Sequence, residues 1–133
     1  MSFESDLFTL VTSDATCSGI IGTRLYPNVL QQSAGASWPG CSCVYKTITG
    51  TYEQTHDSLP TLRRLRVQFD AYSRDAADVE AMVDALGALL MPLKSDMGST
   101  HVRAVLHVNE SGSYEQETRL SRGIVEFEFW YQP

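Results

Sequence analysis

Between Leu62 and Trp130 the hydrophobic period changes from two to helical and back to two with almost no slack between segments. From Leu65 to Tyr72, Leu65, Val67, Phe69 and Ala71 alternate with Arg64, Arg66, Gln68 and Asp70, the pattern of a strand with one buried face. Directly after Ser73, the residues Ala76, Val79, Met82, Val83, Leu86, Leu90 and Leu93 fall on one helical stripe. Two further alternating segments close the chain. Such an order has few solutions, because each half-apolar element must bury its face against another. It predicts a sheet carrying a helix on one face.

A chain of 133 residues with 43% hydrophobic content suits one domain spanning residues 1–133, large enough for a core without staples. Cys17, Cys41 and Cys43 are an odd number, so they cannot all pair within the chain. Glu4 and Asp6 stand where a secretory signal would place a basic region and an apolar run, so no signal peptide is expected. The run Ala85 to Leu93 is too short to span a bilayer and contains Gly87 and Pro92. A reducing compartment is the simpler expectation. The formal charge of −6 disfavours a surface built to neutralise phosphates.

The first residues read as a helix with Ser2 as its cap, Glu4 and Asp6 against the positive dipole end, and Phe3, Leu7, Leu10 and Val11 inward. A short second helix fits Ser13 to Ile21, with Ser13 capping and Gly22 stopping it. Leu25-Tyr26-Pro27 is extended, Gln31 to Gly40 a loop, and Cys43 to Thr51 a strand. Tyr52 to Thr61 is a polar connection long enough for a projecting hairpin arm. Ser73 is expected to cap the main helix and Pro92 to end it. His101 to Val108 gives a strand, Asn109 to Thr118 a polar loop, and Arg119 to Tyr131 the last strand with Val125, Phe127, Phe129 and Tyr131 inward. The fold class is thus α+β: a mainly antiparallel twisted sheet of about four strands, with one long helix and an N-terminal helix packed on it.

The faces opposite the core carry more apolar residues than a solvated sheet needs. Ile124 and Trp130 share a face with Glu126 and Glu128, and Val105 is expected outward with Arg103 and His107. Isolated exposed apolar residues are ordinary, so one reading is a plain surface. The other is an interface with Trp130 as anchor. If the central strands pair, Arg64 and Arg66 can lie opposite Glu126 and Glu128, at a few tenths of a kcal/mol per pair (roughly 0.2–1).

Chemistry is poorly marked. Cys41-x-Cys43 offers one thiolate pair without a second, whereas zinc takes four ligands at about 2.0 to 2.3 Å. His101 and His107, by parity on one face, are separated by ~20 Å and cannot share a metal. His56-Asp57 reads as a polar pair in a turn, with no nucleophile elbow elsewhere. Asp75, Asp78, Glu80 and Asp84 form a solvated helix face. No catalytic residue, cofactor or metal is expected.

Several segments together resemble the tail terminator, or tail completion, proteins of long-tailed bacteriophages. They are Phe3-Glu4-Ser5-Asp6-Leu7-Phe8, Gly22-Thr23-Arg24-Leu25-Tyr26-Pro27, Val44-Tyr45-Lys46 and Leu65 to Ser73 entering the helix. Tyr114-Glu115-Gln116-Glu117-Thr118 and Phe127-Glu128-Phe129-Trp130-Tyr131 complete the pattern. The approach Trp38-Pro39-Gly40-Cys41-Ser42-Cys43 is less apolar than that family's usual version. The resemblance implies a structural virion protein, assembled in the host cytoplasm, that forms a ring, usually of six copies. It would cap the tail tube at the head-proximal end, end its polymerisation and dock the head connector, with DNA passing through. Its partners would be itself, the tail tube protein and connector proteins, and no membrane. Candidate interface residues are Arg64, Arg66, Val105, Ile124, Glu126, Glu128 and Trp130, with Tyr52, His56, Asp57, Tyr114 and Glu115 on the two polar loops. The alternatives are a tail tube subunit or head-completion protein of similar architecture, or a small ligand-binding domain using His56, Asp57 or His107.

Overall fold

The structure is a computed structural model that describes residues 3–22, 24–27, 41–55, 58–94, 96–97, 100–115 and 120–132; for residues 51–55, 58–62 and 115 it describes the backbone alone. Three helices, α1 (Phe3–Ser13), α2 (Ala15–Ile21) and α3 (Ala76–Leu90), lie with a six-stranded sheet. The strands are β1 (Leu25–Pro27), β2 (Ser42–Thr55), β3 (Ser58–Ser73), β4 (Asp96–Met97), β5 (Thr100–Glu115) and β6 (Leu120–Gln132). Their order across the sheet is β1-β2-β3-β6-β5-β4. β1 runs parallel to β2 and every other pairing is antiparallel, so the sheet is mixed and larger than the four strands expected. The two additional strands are very short and sit at the margins, where no hydrophobic alternation can announce them.

The core lies between the helices and one face of the sheet. Val67 and Phe69 of β3 and Val125, Phe127 and Phe129 of β6 are buried beneath Val79, Met82, Leu86 and Leu90 of α3 and Leu7 and Val11 of α1. These are the stripes that the two periodicities select, and burying such side chains contributes about 1.5–3 kcal/mol each. Phe3 stacks on Tyr131 at 4.6 Å and meets Phe129 edge-on at 5.2 Å, holding the start of α1 to β6.

The caps differ from expectation by a residue or two. Asp14, not Ser13, caps α2 by accepting from the Cys17 amide at 3.0 Å. Asp75, not Ser73, caps α3 by accepting from the Ala77 amide at 3.0 Å. Ser73 instead accepts from the Asp75 amide and donates to Asp78, closing the turn that precedes the cap. In each case the carboxylate is the stronger acceptor for amides at the helix's positive end. Gly22 does end α2, at φ 60°. Asp6 was expected as a helix-dipole charge; it is buried and accepts from Thr100 Oγ1 at 2.8 Å, tying α1 to the start of β5. Ser2 as a cap and the loop Gln31 to Gly40 lie outside the described residues.

The largest difference concerns the polar stretches. The backbone of residues 52–55 and 58–61 belongs to the strands β2 and β3, with Glu53 opposite Leu62 and Thr55 opposite Ser58, so strand pairing runs through most of the stretch expected as a connection. Asn109 to Glu115, expected as loop, pairs residue for residue with Leu120 to Glu126. For Asn109 to Tyr114, all exposed, neighbouring strand backbone rather than a buried side-chain face holds the residues extended.

Candidate functional site

The helices cover one face of the sheet, and the opposite face carries the candidate interface. On β6, Arg122, Ile124, Glu126, Glu128, Trp130 and Gln132 all point there and are all half-buried. Register sets Arg64 opposite Trp130, Arg66 opposite Glu128, Gln68 opposite Glu126, Asp70 opposite Ile124 and Tyr72 opposite Arg122. The charge ladder expected for Arg64 and Arg66 is therefore shifted. Arg66 does face Glu128, but Arg64 lies over the Trp130 ring, 5.0 Å from its centroid, a cation–π contact. The Trp130 indole N–H donates to Glu128 Oε1 at 2.9 Å, so the ring is fixed at its edge and on one face.

A second cluster lies at the other end of this face. Asp70 is buried and accepts from Arg122 Nη2 at 2.6 Å and from Gln68 Nε2 at 2.7 Å. The Arg122 guanidinium also lies 5.6 Å from the centre of the Tyr72 ring. Toward the margin, Asn109 donates to Glu126 at 3.2 Å and Arg103 donates twice to Gln132 Oε1, at 3.2 and 2.7 Å. Apolar Ile124 and Trp130 thus stand among polar groups that hold one another in register.

Val105 must be removed from the candidate surface. It is buried in the core, because a register shift between Val102 and Ala104 inserts Arg103 as an extra residue and reverses the parity of the residues after it. The same shift separates the histidines: His101 is opposite Gln132 and beside Asp96, whereas His107 is opposite Phe127 on the helix side, its ring edge-on at 5.8 Å. A second shift, between His107 and Asn109, leaves Val108 as another extra residue. Tyr114 is exposed on β5 and looks onto a groove beside α3, lined also by Val79, Glu80, Val83, Asp84 and Gly112. His56 and Asp57 lie outside the described residues, as do the side chains of Tyr52 and Glu115.

Among the described residues, no three His, Cys, Asp or Glu side chains gather as metal ligands. Cys17, Cys41 and Cys43 are free and buried. Burial, then a hydrogen bond to Asp14, pushes the Cys17 thiol up to about 12; burial, then the charge of Asp78, does the same for Cys41. Cys43 is raised well above 9.0, chiefly by burial. Thiols held neutral in this way pack the core and are poor nucleophiles. Among the described residues, no helix is long and apolar enough to cross a membrane.

Sequence reasoning had missed the margins of the sheet. Ile48, Leu106 and Val108 are exposed on β2 or β5, as is Tyr114, the one of the four that the sequence had already offered as an interface candidate. Ile48, Leu106 and Val108 already lay in expected strands, and what was not readable there is that these strands run along open margins, which needs the strand order.

Comparison with known proteins agrees with this architecture. A chain from the virion of a native gene transfer agent particle superposes with a TM-score of 0.73 at 11% identity, covering 99% of this chain and 96% of that one. At that identity the likeness concerns the fold. No curated protein matches the sequence. The family model described as tail completion protein gp17 matches residues 5–132, nearly the whole sequence, and the chain belongs to that family.

Proposed function

We propose that this chain is a structural subunit of a phage tail that forms a ring, closes the head-proximal end of the tail tube, ends its polymerisation and offers a docking surface to the head connector. Membership of the tail completion family carries this reading. The similar fold of a gene transfer agent virion chain supports a place in a phage-like particle. The geometry fits a mechanical role. Helices cover one face of the sheet, and the other presents Ile124 and Trp130 among Arg64, Arg66, Glu126 and Glu128, an apolar centre with a charged surround suited to a partner protein. The net charge of −6 lets DNA pass such a ring without tight binding to its surface.

The test is the light-scattering mass of the protein after size exclusion, with negative-stain images of the same peak. A closed ring with a central pore is the expected result. Indefinite tubes would instead assign the chain to the tube wall, and a protein that neither self-associates nor binds tail tube ends would refute the proposal.

A further inference from the structure

We infer that neighbouring copies join edge to edge, the free margin of β5 in one copy adding to the free margin of β2 in the next. This rests on the ring reading above and names the contact that would build it. Among the described residues, both outer margins of the sheet are largely open. β1 pairs with β2 only from Cys43 to Tyr45, and β4 pairs with β5 only at Thr100 and His101. Among the described residues, no strand covers β2 from Lys46 to Thr55 or β5 from Val102 to Glu115 on their outer sides.

Monomeric proteins blunt such edges with lysine, proline, inward-pointing charge or very short strands. Here the protection is thin. After Lys46, the β2 margin has no Lys, Arg or Pro through Thr55, and after Arg103 the β5 margin has none through Glu115. The apolar exposure is concentrated in the same places. Of the five large hydrophobic residues exposed among the described residues, Ile48 lies on the β2 margin and Leu106, Val108 and Tyr114 on the β5 margin; Met91 alone lies elsewhere. Charge is complementary too, with Lys46 on one margin and Glu110 on the other.

Direction also agrees. Following the antiparallel pairings from β2 through β3 and β6 to β5, β5 runs opposite to β2. A copy placed beside another by a rotation that keeps the strand axes roughly aligned therefore meets it with an antiparallel pair, continuing the pattern within each sheet. The two margins differ, so the contact is head to tail, the kind that closes into a ring when the rotation per copy divides a full turn. The bulges at Ile48 and Val108 would set where pairing starts and stops, since a bulge locally disrupts a ladder.

Variants carrying one added surface cysteine test this, because the three native thiols are buried. Ser111→Cys is mixed with Thr47→Cys or with Thr49→Cys and mildly oxidised, both in free solution and bound at tail tube ends. A cross-linked dimer in a mixed sample, absent from each variant alone, is expected; the double variant should give a ladder of multimers. Cross-linking of Ser111→Cys with itself would mean a two-fold contact and would overturn the inference. Rings seen by microscopy without any mixed cross-link would overturn it while leaving the ring intact. Neither rings nor binding at tube ends would instead overturn the proposed function. Ser111→Pro and Gly112→Pro provide an independent arm, because backbone N–H groups alternate in direction and one of the two points outward. The variant that keeps the native melting temperature should remain monomeric, and rings of native size from that variant would contradict the contact.

Discussion

Gly123 offers the sharpest probe of how the helix layer meets the sheet. It lies on β6 between Ala71 and Gly112, and a Cβ built there would sit 2.6 Å from Val79 Cγ1 and 3.1 Å from Val83 Cγ2 of α3. Carbon atoms pack best at roughly 3.5–4.0 Å, so Gly123→Ala requires α3 to shift by about 1 Å or Val79 to leave its rotamer. Overpacking of this kind costs about 1–3 kcal/mol. Alanine is favoured over glycine within a strand by about 0.5–1 kcal/mol, so the net destabilisation lies between about 0 and 2.5 kcal/mol and is about 1 kcal/mol at the centre of both ranges. With an unfolding entropy of about 2.1 cal/mol/K per residue, a 133-residue chain should lose roughly 4 °C of melting temperature at that central value. Differential scanning calorimetry of Gly123→Ala, Val79→Ala and the double variant completes the cycle. Val79→Ala alone should cost about 1–2 kcal/mol through its lost burial. The double variant should be more stable than the sum of the two by about 1 kcal/mol or more, because removing the valine methyls makes room for the new one. A raised melting temperature for Gly123→Ala, or strict additivity in the cycle, would refute the close approach.

Other perturbations report on different parts of the molecule. Asp70→Asn should lower stability by about 1–3 kcal/mol in urea titrations, because the buried carboxylate partners Arg122, whose side chain is 28% exposed and so partly screened; no change would mean that this cluster is only ornamental. Trp130→Ala should leave a folded protein that binds tail tube ends more weakly, by up to a few kcal/mol (about 2–4) if the ring is an anchor; unchanged binding, by co-sedimentation with tubes, would remove the outer face from the docking surface. The raised thiols give a pH signature. Well below pH 9.0 they are protonated in the folded and unfolded chain alike, whereas around and above it the unfolded thiols ionise while Cys17 holds its proton until about 12. Their stabilising contribution is therefore fully present below pH 9.0 and is lost as pH rises toward 12. The fall in melting temperature over this range should be shallower in Cys17→Ala than in the native chain; equal slopes would contradict the assignment.

The sequence disclosed what depends on side-chain period. The stripe Val79, Met82, Val83, Leu86 and Leu90 and the alternations of β3 and β6 are buried where the pattern puts them. It did not disclose what depends on backbone pairing alone. Asn109 to Tyr114 has no alternation because both of its faces are exposed, so only its partner β6 reveals it as a strand. Val105 was misplaced for a related reason: one extra residue at Arg103 reverses the side chains from Ala104 to His107, until the second extra residue at Val108 restores them, and no local residue preference marks these insertions. The outer face was half legible. Parity alone puts Ile124, Glu126, Glu128 and Trp130 together, but which arginine meets which partner needs the register, and that gives Trp130 rather than a glutamate to Arg64.

The central claim, that this chain ends tube growth, is tested most directly by assembling tail tube protein in its presence and measuring tube lengths by electron microscopy. The account predicts shorter tubes as the ratio of this chain to tube protein rises, each capped at one end by a single ring. Tubes of unaltered length, or this chain distributed along the tube wall, would contradict it.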